Sequence, residues 1–282
     1  MVLGGHAVEG SGTLRGVRDA ASAEILKGDS IKLAERDSFQ TLPPLSCGPI
    51  FESAVVEIDE SESDQGQVLL IGGHGLGVAS PALRKVDLAT GVCTAQPSLI
   101  CPDRYRIEDC TAGRLPNGRI VCTGVTFLTL PHEKYSDEEV ETYFTMAQVL
   151  EPPPYGSPGD GAWQWRSLPG TIVRHSDGGA GSVLSDGRFA VFGGLKNERT
   201  PTSSCEALTF DADGRARWEF LTPKLRRRLG FACVAISGCV IIAGGEPSNT
   251  VEVYEEGLGR WRKLPCNISH DSQRHGIGSA LT

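Results

Sequence analysis

Arginines recur at one kind of position in this chain, just before or at the start of a segment that predicts a β-strand. The segments are PDRYRIEDC (Arg104, Arg106), IVRHSDGG (Arg174), LRRRLGFACV (Arg226, Arg227, Arg228) and SQRHGIGS (Arg274). A guanidinium group is a planar fork of donors that matches the geometry of a carboxylate. Converging arginines would bind an acidic segment, whereas separated ones would cap strand ends and pair with neighbouring acids. The sequence is compatible with both interpretations.

The other side chains with reactive or ligating groups form no recognisable constellation. The six histidines are dispersed, and the two that follow a Gly-Gly pair, His6 and His74, have no carboxylate pattern near them. The nine cysteines are an odd number without a CxxC pair, so we expect reduced thiols rather than a disulfide framework or a zinc site. The prediction is a protein with no catalytic group, no metal and no cofactor.

Composition bounds the class of partner and the environment. The net charge of −8 argues against binding to nucleic acid or to an anionic membrane surface. The N-terminus lacks the basic start and apolar core of a signal peptide, and the most apolar stretch, GFACVAISGCVIIAGG, is interrupted by a Ser-Gly pair. We therefore expect a cytoplasmic protein, with the nucleus as the alternative, and no membrane contact.

A repeated pattern supplies the strands that must position these arginines. Apolar runs end in Gly-Gly at MVLGG, VLLIGG (Gly72, Gly73), FAVFGG (Gly193, Gly194) and VIIAGG (Gly244, Gly245), with a partial copy, RIVCTGV, at Gly124. Each run precedes a second predicted strand and a large residue before a Leu-Pro or similar exit, as in WRSLP (Trp165), WEFLTP (Trp218) and WRKLP (Trp261). LSDGRFAVFGG and LPNGRIVCTG add a hairpin with an Asp-Gly or Asn-Gly turn. The copies, at roughly 50-residue spacing, predict repeated four-stranded units.

The order of Gly-Gly, tyrosine and tryptophan resembles the repeats of the kelch family, in the galactose oxidase-like superfamily. In the best copy Tyr254 and Trp261 are seven positions apart, and Val86 and Cys93 keep that separation. The resemblance covers nearly the whole chain and implies an all-β, kelch-type β-propeller of four-stranded blades. It also implies that each Gly pair ends the second strand of a blade and that the fourth-strand aromatic packs against neighbouring backbone.

We predict a single domain over residues 1–282, with about five repeats at residues 1–46, 47–100, 101–170, 171–225 and 226–266. Residues 267–282 look like the first strand of a blade that the N-terminal strand would continue. Pairing of the two ends would close a ring of five blades. The alternative is an incomplete piece of a larger ring, because six or seven blades are usual in the family. In the third repeat Ser136 and Glu139 fit a capping box, and residues 125–141 are a candidate partner-binding loop.

The resemblance also implies a function for the arginines. In the kelch substrate receptors of cullin ubiquitin ligases, arginines at this loop-to-strand position line the mouth of the central funnel and hold acidic peptides. By resemblance such a ring would contain Arg106, Arg174, Arg228 and Arg274, with Arg226 pointing outward.

The predicted function is a noncatalytic scaffold that binds a protein or peptide partner at the funnel and its loops, an acidic partner if the arginines converge. The alternative is a small-ligand-binding or sugar-modifying propeller enzyme, which would need clustered acid and base groups in the funnel. The sequence predicts no oligomeric state.

Overall fold

The computed structural model describes residues 2–9, 16–26, 39–47, 50, 53–58, 66–75, 78–103, 105–128, 143–152, 163–197 and 199–267. Within these ranges the protein is all-β, with antiparallel sheets and one short 3-10 helix, Glu256–Leu258. No helix in the described part of the chain is long and apolar enough to span a bilayer.

Each sheet is formed by strands that follow one another in the sequence. Sheet 1 has three strands, β1 (Val2–Glu9), β2 (Gly16–Leu26) and β3 (Phe39–Leu42). Sheet 2 contains β4 (Ala54–Ile58), β5 (Gln67–Ile71), β8 (Leu83–Asp87) and β9 (Cys93–Gln96), in that order. The chain connecting β5 to β8 forms a separate small hairpin of β6 (His74–Gly75) and β7 (Val78–Ala79).

The remaining sheets are four-stranded without such an insertion. Sheet 3 contains β10 (Tyr105–Arg114), β11 (Ile120–Leu128), β12 (Tyr143–Glu151) and β13 (Gln164–Leu168). Sheet 4 contains β14 (Ala180–Val183), β15 (Phe189–Phe192), β16 (Cys205–Phe210) and β17 (Ala216–Phe220). Sheet 5 contains β18 (Ala232–Ile236), β19 (Cys239–Ala243), β20 (Thr250–Glu255) and β21 (Arg260–Asn267).

Sheets 2 to 5 pack face to face in order, and their first strands lie side by side. β4 contacts β10, β10 contacts β14, and β14 contacts β18. One apolar core joins Ile71 of sheet 2 to Ile120 of sheet 3, and another joins Phe192 of sheet 4 to Val240 of sheet 5. This arrangement confirms the predicted all-β fold of four-stranded sheets and is consistent with a blade-type β-propeller. The predicted C-terminal strand that would close the ring falls on residues outside the described ranges, apart from Asn267 at the end of β21.

Glycine pairs follow the second strand in three of the sheets. The pairs begin directly after β5, β15 and β19, and φ is positive at all of their members: Gly72, Gly73, Gly193, Gly194, Gly244 and Gly245. A Cβ on Gly194 would lie only 2.5 Å from the carbonyl oxygen of Ser176, so the close approach requires glycine there. In sheet 3 the second glycine of the pair is replaced by Val125, and β11 continues to Leu128.

Candidate functional site

A repeated contact ties each of sheets 3 to 5 to the loop through which the chain enters it, which we call the junction loop. The contact is a hydrogen bond from the indole Nε1 of a fourth-strand tryptophan to a backbone carbonyl of that loop. The pairs are Trp165 with Pro97 (2.7 Å), Trp218 with Pro169 (2.8 Å) and Trp261 with Thr222 (2.8 Å). Trp218 and Trp261 are only 7% exposed, and Tyr254 stacks on Trp261 with ring centroids 5.1 Å apart. The tryptophans therefore anchor one sheet to the end of the previous one.

The same junction loops are fixed from a second side by a buried polar residue on the third strand. This residue is Gln148 in sheet 3, Glu206 in sheet 4 and Glu252 in sheet 5. In each sheet it lies two positions before the residue that pairs with the tryptophan in the strand ladder. The side-chain oxygens of these residues, each at most 3% exposed, accept backbone N–H groups from Ile100 (2.9 Å), Ile172 and Val173 (both 2.7 Å) and Leu225 (3.0 Å). The sequence interpretation missed these three residues.

Arg228 belongs to this internal network. The sequence predicted that it would line the funnel mouth, but the structure leaves it 0% exposed. Its Nη1 donates to the carbonyl oxygens of Gly244 (2.8 Å) and Thr250 (2.7 Å), and its Nη2 donates to Thr250 Oγ1 (2.7 Å) and to the carboxylate of Glu252. Burial lowers the pKa of Arg228, and the ion pair with Glu252 opposes that shift. The guanidinium group thus stabilises the junction and offers no surface to a partner.

His175 occupies the equivalent position in the junction loop of sheet 4. Both Arg228 and His175 lie three residues after a residue whose N–H is held by the third-strand carboxylate. The His175 Nε2 lies 3.1 Å from Glu206 Oε1, and its Nδ1 lies 2.6 Å from the carbonyl oxygen of Gly193. Both side chains are buried. We interpret the pair as a second internal clamp rather than as an acid–base pair that a substrate could reach.

Two other arginines lie against aromatic rings at the start of sheet 3. Because β11 runs on to Leu128, Phe127 pairs in the ladder with Arg106 on β10 and with Tyr143 on β12. The guanidinium carbon of Arg174 lies 4.2 Å from the Tyr143 ring centroid and 5.3 Å from that of Phe127, and the guanidinium carbon of Arg106 also lies 5.3 Å from Phe127. We call Arg106, Phe127, Tyr143 and Arg174 the arginine–aromatic cluster.

The two arginines differ in ion pairing. Arg106 Nε lies 2.7 Å from Glu108 Oε1, and this ion pair is partly open to solvent. Arg174 is 7% exposed, and its Nε and Nη1 are buried without a hydrogen-bond acceptor among the described residues. A buried donor without an acceptor destabilises the protein by about 1 to 3 kcal/mol, and more when it is charged.

The side of the sheets that carries the junction loops and this cluster, which we call the junction face, also exposes large apolar side chains. Three of them occupy equivalent positions, because they are the residues whose N–H groups the third strand holds: Ile100 (48% exposed), Ile172 (54%) and Leu225 (53%). Arg226 and Arg227 are exposed directly after Leu225. Arg274 and residues 129–142, with the predicted capping box, lie outside the described residues.

Lys224 is a buried residue that holds the backbone of the loop segment containing Arg226. Its Nζ donates to the carbonyl oxygens of Thr202 (2.9 Å) and Arg226 (3.0 Å), and it lies 5.2 Å from the ring centroid of Phe231. Burial lowers the pKa of Lys224 to about 8. The ammonium group therefore fixes the loop at an electrostatic cost.

The described residues contain no group of three or more histidine, cysteine, aspartate or glutamate side chains that could hold a metal ion. A depression of about 330 Å³ on sheet 2 is lined by Gln67, Lys85, Asp87 and Thr90 among others, and the pKa of Asp87 is lowered by hydrogen bonds from Thr90. A single carboxylate held in its ionised form provides no acid–base pair there.

The structure corrects one expectation about the cysteines. The sequence predicted reduced thiols throughout, but Cys47 and Cys93 are joined in a disulfide, while the other seven cysteines are free.

Neither a protein-family model nor a curated protein sequence matches this chain.

Proposed function

We propose that the protein is a kelch-type β-propeller that acts as a noncatalytic interaction scaffold, and that its junction face binds an acidic segment of a peptide or protein. The observation that carries this proposal is Arg174, a buried cation whose Nε and Nη1 have no acceptor among the described residues. A carboxylate from a partner that reaches the small part of this side chain still open to solvent would pair with the unneutralised charge in a planar geometry that suits a guanidinium group.

The surroundings of Arg174 support the same ligand chemistry. Phe127 and Tyr143 hold the guanidinium group by cation–π contacts, so little side-chain freedom remains to be lost when a ligand binds. Arg106 places a second guanidinium group beside Phe127, with its own charge paired to Glu108. The chain as a whole has a net charge of −8, so this local concentration of arginine departs from the average surface.

The exposed apolar side chains of the junction face indicate that the partner segment contains apolar residues as well as acidic ones. Ile100, Ile172 and Leu225 are half exposed at rigid positions, because their backbone N–H groups are held by buried side chains. Burial of such side chains against a partner contributes roughly 25 cal/mol per Å² of apolar surface. A segment that mixes glutamate or aspartate with large apolar residues fits this face best.

The test is fluorescence anisotropy with a labelled peptide of alternating glutamate and leucine, and a glutamine–leucine peptide as the neutral control. We expect the acidic peptide to bind the wild-type protein and to bind more weakly as salt increases. Arg174→Met should weaken binding by about 30-fold or more, which corresponds to the loss of one partner of a desolvated charge pair.

The matched control is Arg217→Met, which removes an arginine that is 67% exposed on the fourth strand of sheet 4. It should bind the peptide as the wild type does. The proposal is overturned if the acidic peptide binds no better than the neutral one, or if Arg174→Met folds normally and binds with wild-type affinity.

A further inference from the structure

The junction between sheets 1 and 2 lacks the residues that fix the other junctions. In sheets 3 to 5 a tryptophan faces an apolar third-strand residue in the ladder, and in sheet 2 the residue in that place is Cys93, opposite Val86. Two positions before Val86, where the other sheets have Gln148, Glu206 or Glu252, stands Arg84. Neither half of the repeated contact is therefore present among the described residues of this junction.

A covalent bond occupies the same place. Cys47 lies in the junction loop after β3 and is bonded to Cys93, with 5.7 Å between the Cα atoms and 46 positions between them in the sequence. The disulfide thus joins the end of one sheet to the fourth strand of the next, which is what the tryptophan hydrogen bonds do elsewhere.

Backbone contacts hold the two segments in register beside the disulfide. Ser46 N donates to the carbonyl oxygen of Gly91 at 2.9 Å, and Cys93 N donates to Ser46 Oγ at 2.8 Å. A Cβ on Gly91, where φ is +71°, would lie 2.4 Å from the carbonyl oxygen of Pro44. The loop therefore lies directly against sheet 2, and the two sulfur atoms meet because the backbone brings them together.

We propose that Cys47 and Cys93 form a thiol–disulfide exchange site that locks or releases the junction between sheets 1 and 2, and that its chemical partners are small thiols and protein dithiols. Both cysteines are half-buried, so a thiolate reagent has a path to them. The other junctions have no cysteine pair among their described residues, so exchange would act on this junction alone.

The reductant supplies the two electrons that are needed to open the disulfide. One thiolate of the reductant attacks a sulfur of the disulfide, forms a mixed disulfide with it, and releases the second cysteine as a thiolate that takes up a proton. A second thiol of the reductant then resolves the mixed disulfide, so that two cysteine thiols and one oxidised reductant result. Oxidation follows the same steps in reverse, with a small-molecule disulfide as the oxidant.

The first measurement is peptide mapping by mass spectrometry of the full chain after equilibration in glutathione buffers from oxidising to reducing, followed by alkylation. We expect a Cys47–Cys93 cross-linked peptide in the oxidising buffer and alkylation of both cysteines in the reducing one. If both cysteines are alkylated in the oxidising buffer, the proposal fails.

The second measurement is hydrogen exchange of the wild-type protein in the same two buffers, which needs no substitution and therefore cannot be confused by misfolding. Reduction should accelerate amide exchange tenfold or more at residues 45–47 and 91–96 and leave the segment around Trp218 unchanged. Unchanged exchange at residues 45–47 and 91–96 would overturn the proposal.

Variants separate this cysteine pair from the other thiols. The double substitution Cys47→Ser with Cys93→Ser should show the fast exchange in both buffers. Cys239→Ser, which removes another half-buried cysteine, should respond to the buffer as the wild type does. A redox response that persists in the double variant would assign the effect to other cysteines and refute the proposal.

Discussion

Replacing Arg228 with alanine should destabilise the protein strongly. The substitution removes four hydrogen bonds and leaves the Glu252 carboxylate, which is 1% exposed, with the Leu225 N–H as its remaining donor among the contacts described above. Removing one partner of a buried ion pair costs about 3 to 5 kcal/mol, because the other charge stays buried and uncompensated. For a chain of this size that corresponds to a fall in melting temperature of about 10 °C.

Urea denaturation followed by circular dichroism would measure the change. The matched control is the neighbouring Arg227→Ala, because Arg227 is exposed and its removal should change stability by less than about 0.5 kcal/mol. Adding Glu252→Gln to Arg228→Ala should recover part of the loss, since the uncompensated charge is then gone. If the free energy of unfolding of Arg228→Ala lies within about 1 kcal/mol of the wild-type value, Arg228 does not stabilise the junction through a buried ion pair.

The other predictions concern the tryptophans and Lys224. Trp218→Ala and Trp261→Ala should each destabilise the protein by about 3 to 5 kcal/mol through lost burial, and a loss under about 1 kcal/mol in denaturant melts would contradict their role as anchors. The pKa of Lys224 falls on folding from 10.5 to about 8 because of burial, so the unfolded chain binds more protons between these values and stability should rise with pH across that window. Measuring the free energy of unfolding of the wild type and of Lys224→Met at pH 8 and pH 10.5 isolates the contribution of Lys224, which is of order 3 kcal/mol. An equal change with pH in the two proteins would exclude a contribution from Lys224.

Much of the fold could be predicted from the sequence, because the repeated features are local. A positive φ at a Gly-Gly pair and a tight Asp-Gly turn are encoded by the residues that adopt them, so strand ends and hairpins can be located without tertiary information. The tryptophans were also visible, since a large aromatic at a fixed place in three of the copies needs a common packing partner.

The inward-facing polar residues were harder to recognise, although the sequence contains a signal for them. Segments Q-V-L at 148–150, E-A-L at 206–208 and E-V-Y at 252–254 share one spacing, with the polar residue two positions before the residue that faces the tryptophan. A polar residue in a strand is normally interpreted as exposed, and only the approach of the next junction loop shows that these three are buried and bonded.

The same limitation applies to the arginines, whose spacing in the sequence cannot distinguish an internal clamp from a binding residue. Arg228 and Arg174 both precede a first strand, but Arg228 faces a carboxylate on sheet 5 and Arg174 faces aromatic rings on sheet 3. The disulfide was missed for a related reason, because Cys47 and Cys93 are 46 positions apart and only the approach of the loop after β3 to sheet 2 brings them together.

The arginine–aromatic cluster depends on a departure from the repeat. Where the Gly pair is complete, as in sheet 4, the second strand ends at Phe192, directly before the pair. In sheet 3, Val125 takes the place of the second glycine, β11 continues to Leu128, and Phe127 is carried into contact with Arg174. Arg227, at the position equivalent to Arg174, is exposed to solvent. The irregular copy therefore keeps the junction contacts of Trp165 and Gln148 and adds the arginine–aromatic cluster, which we propose as the partner-binding surface.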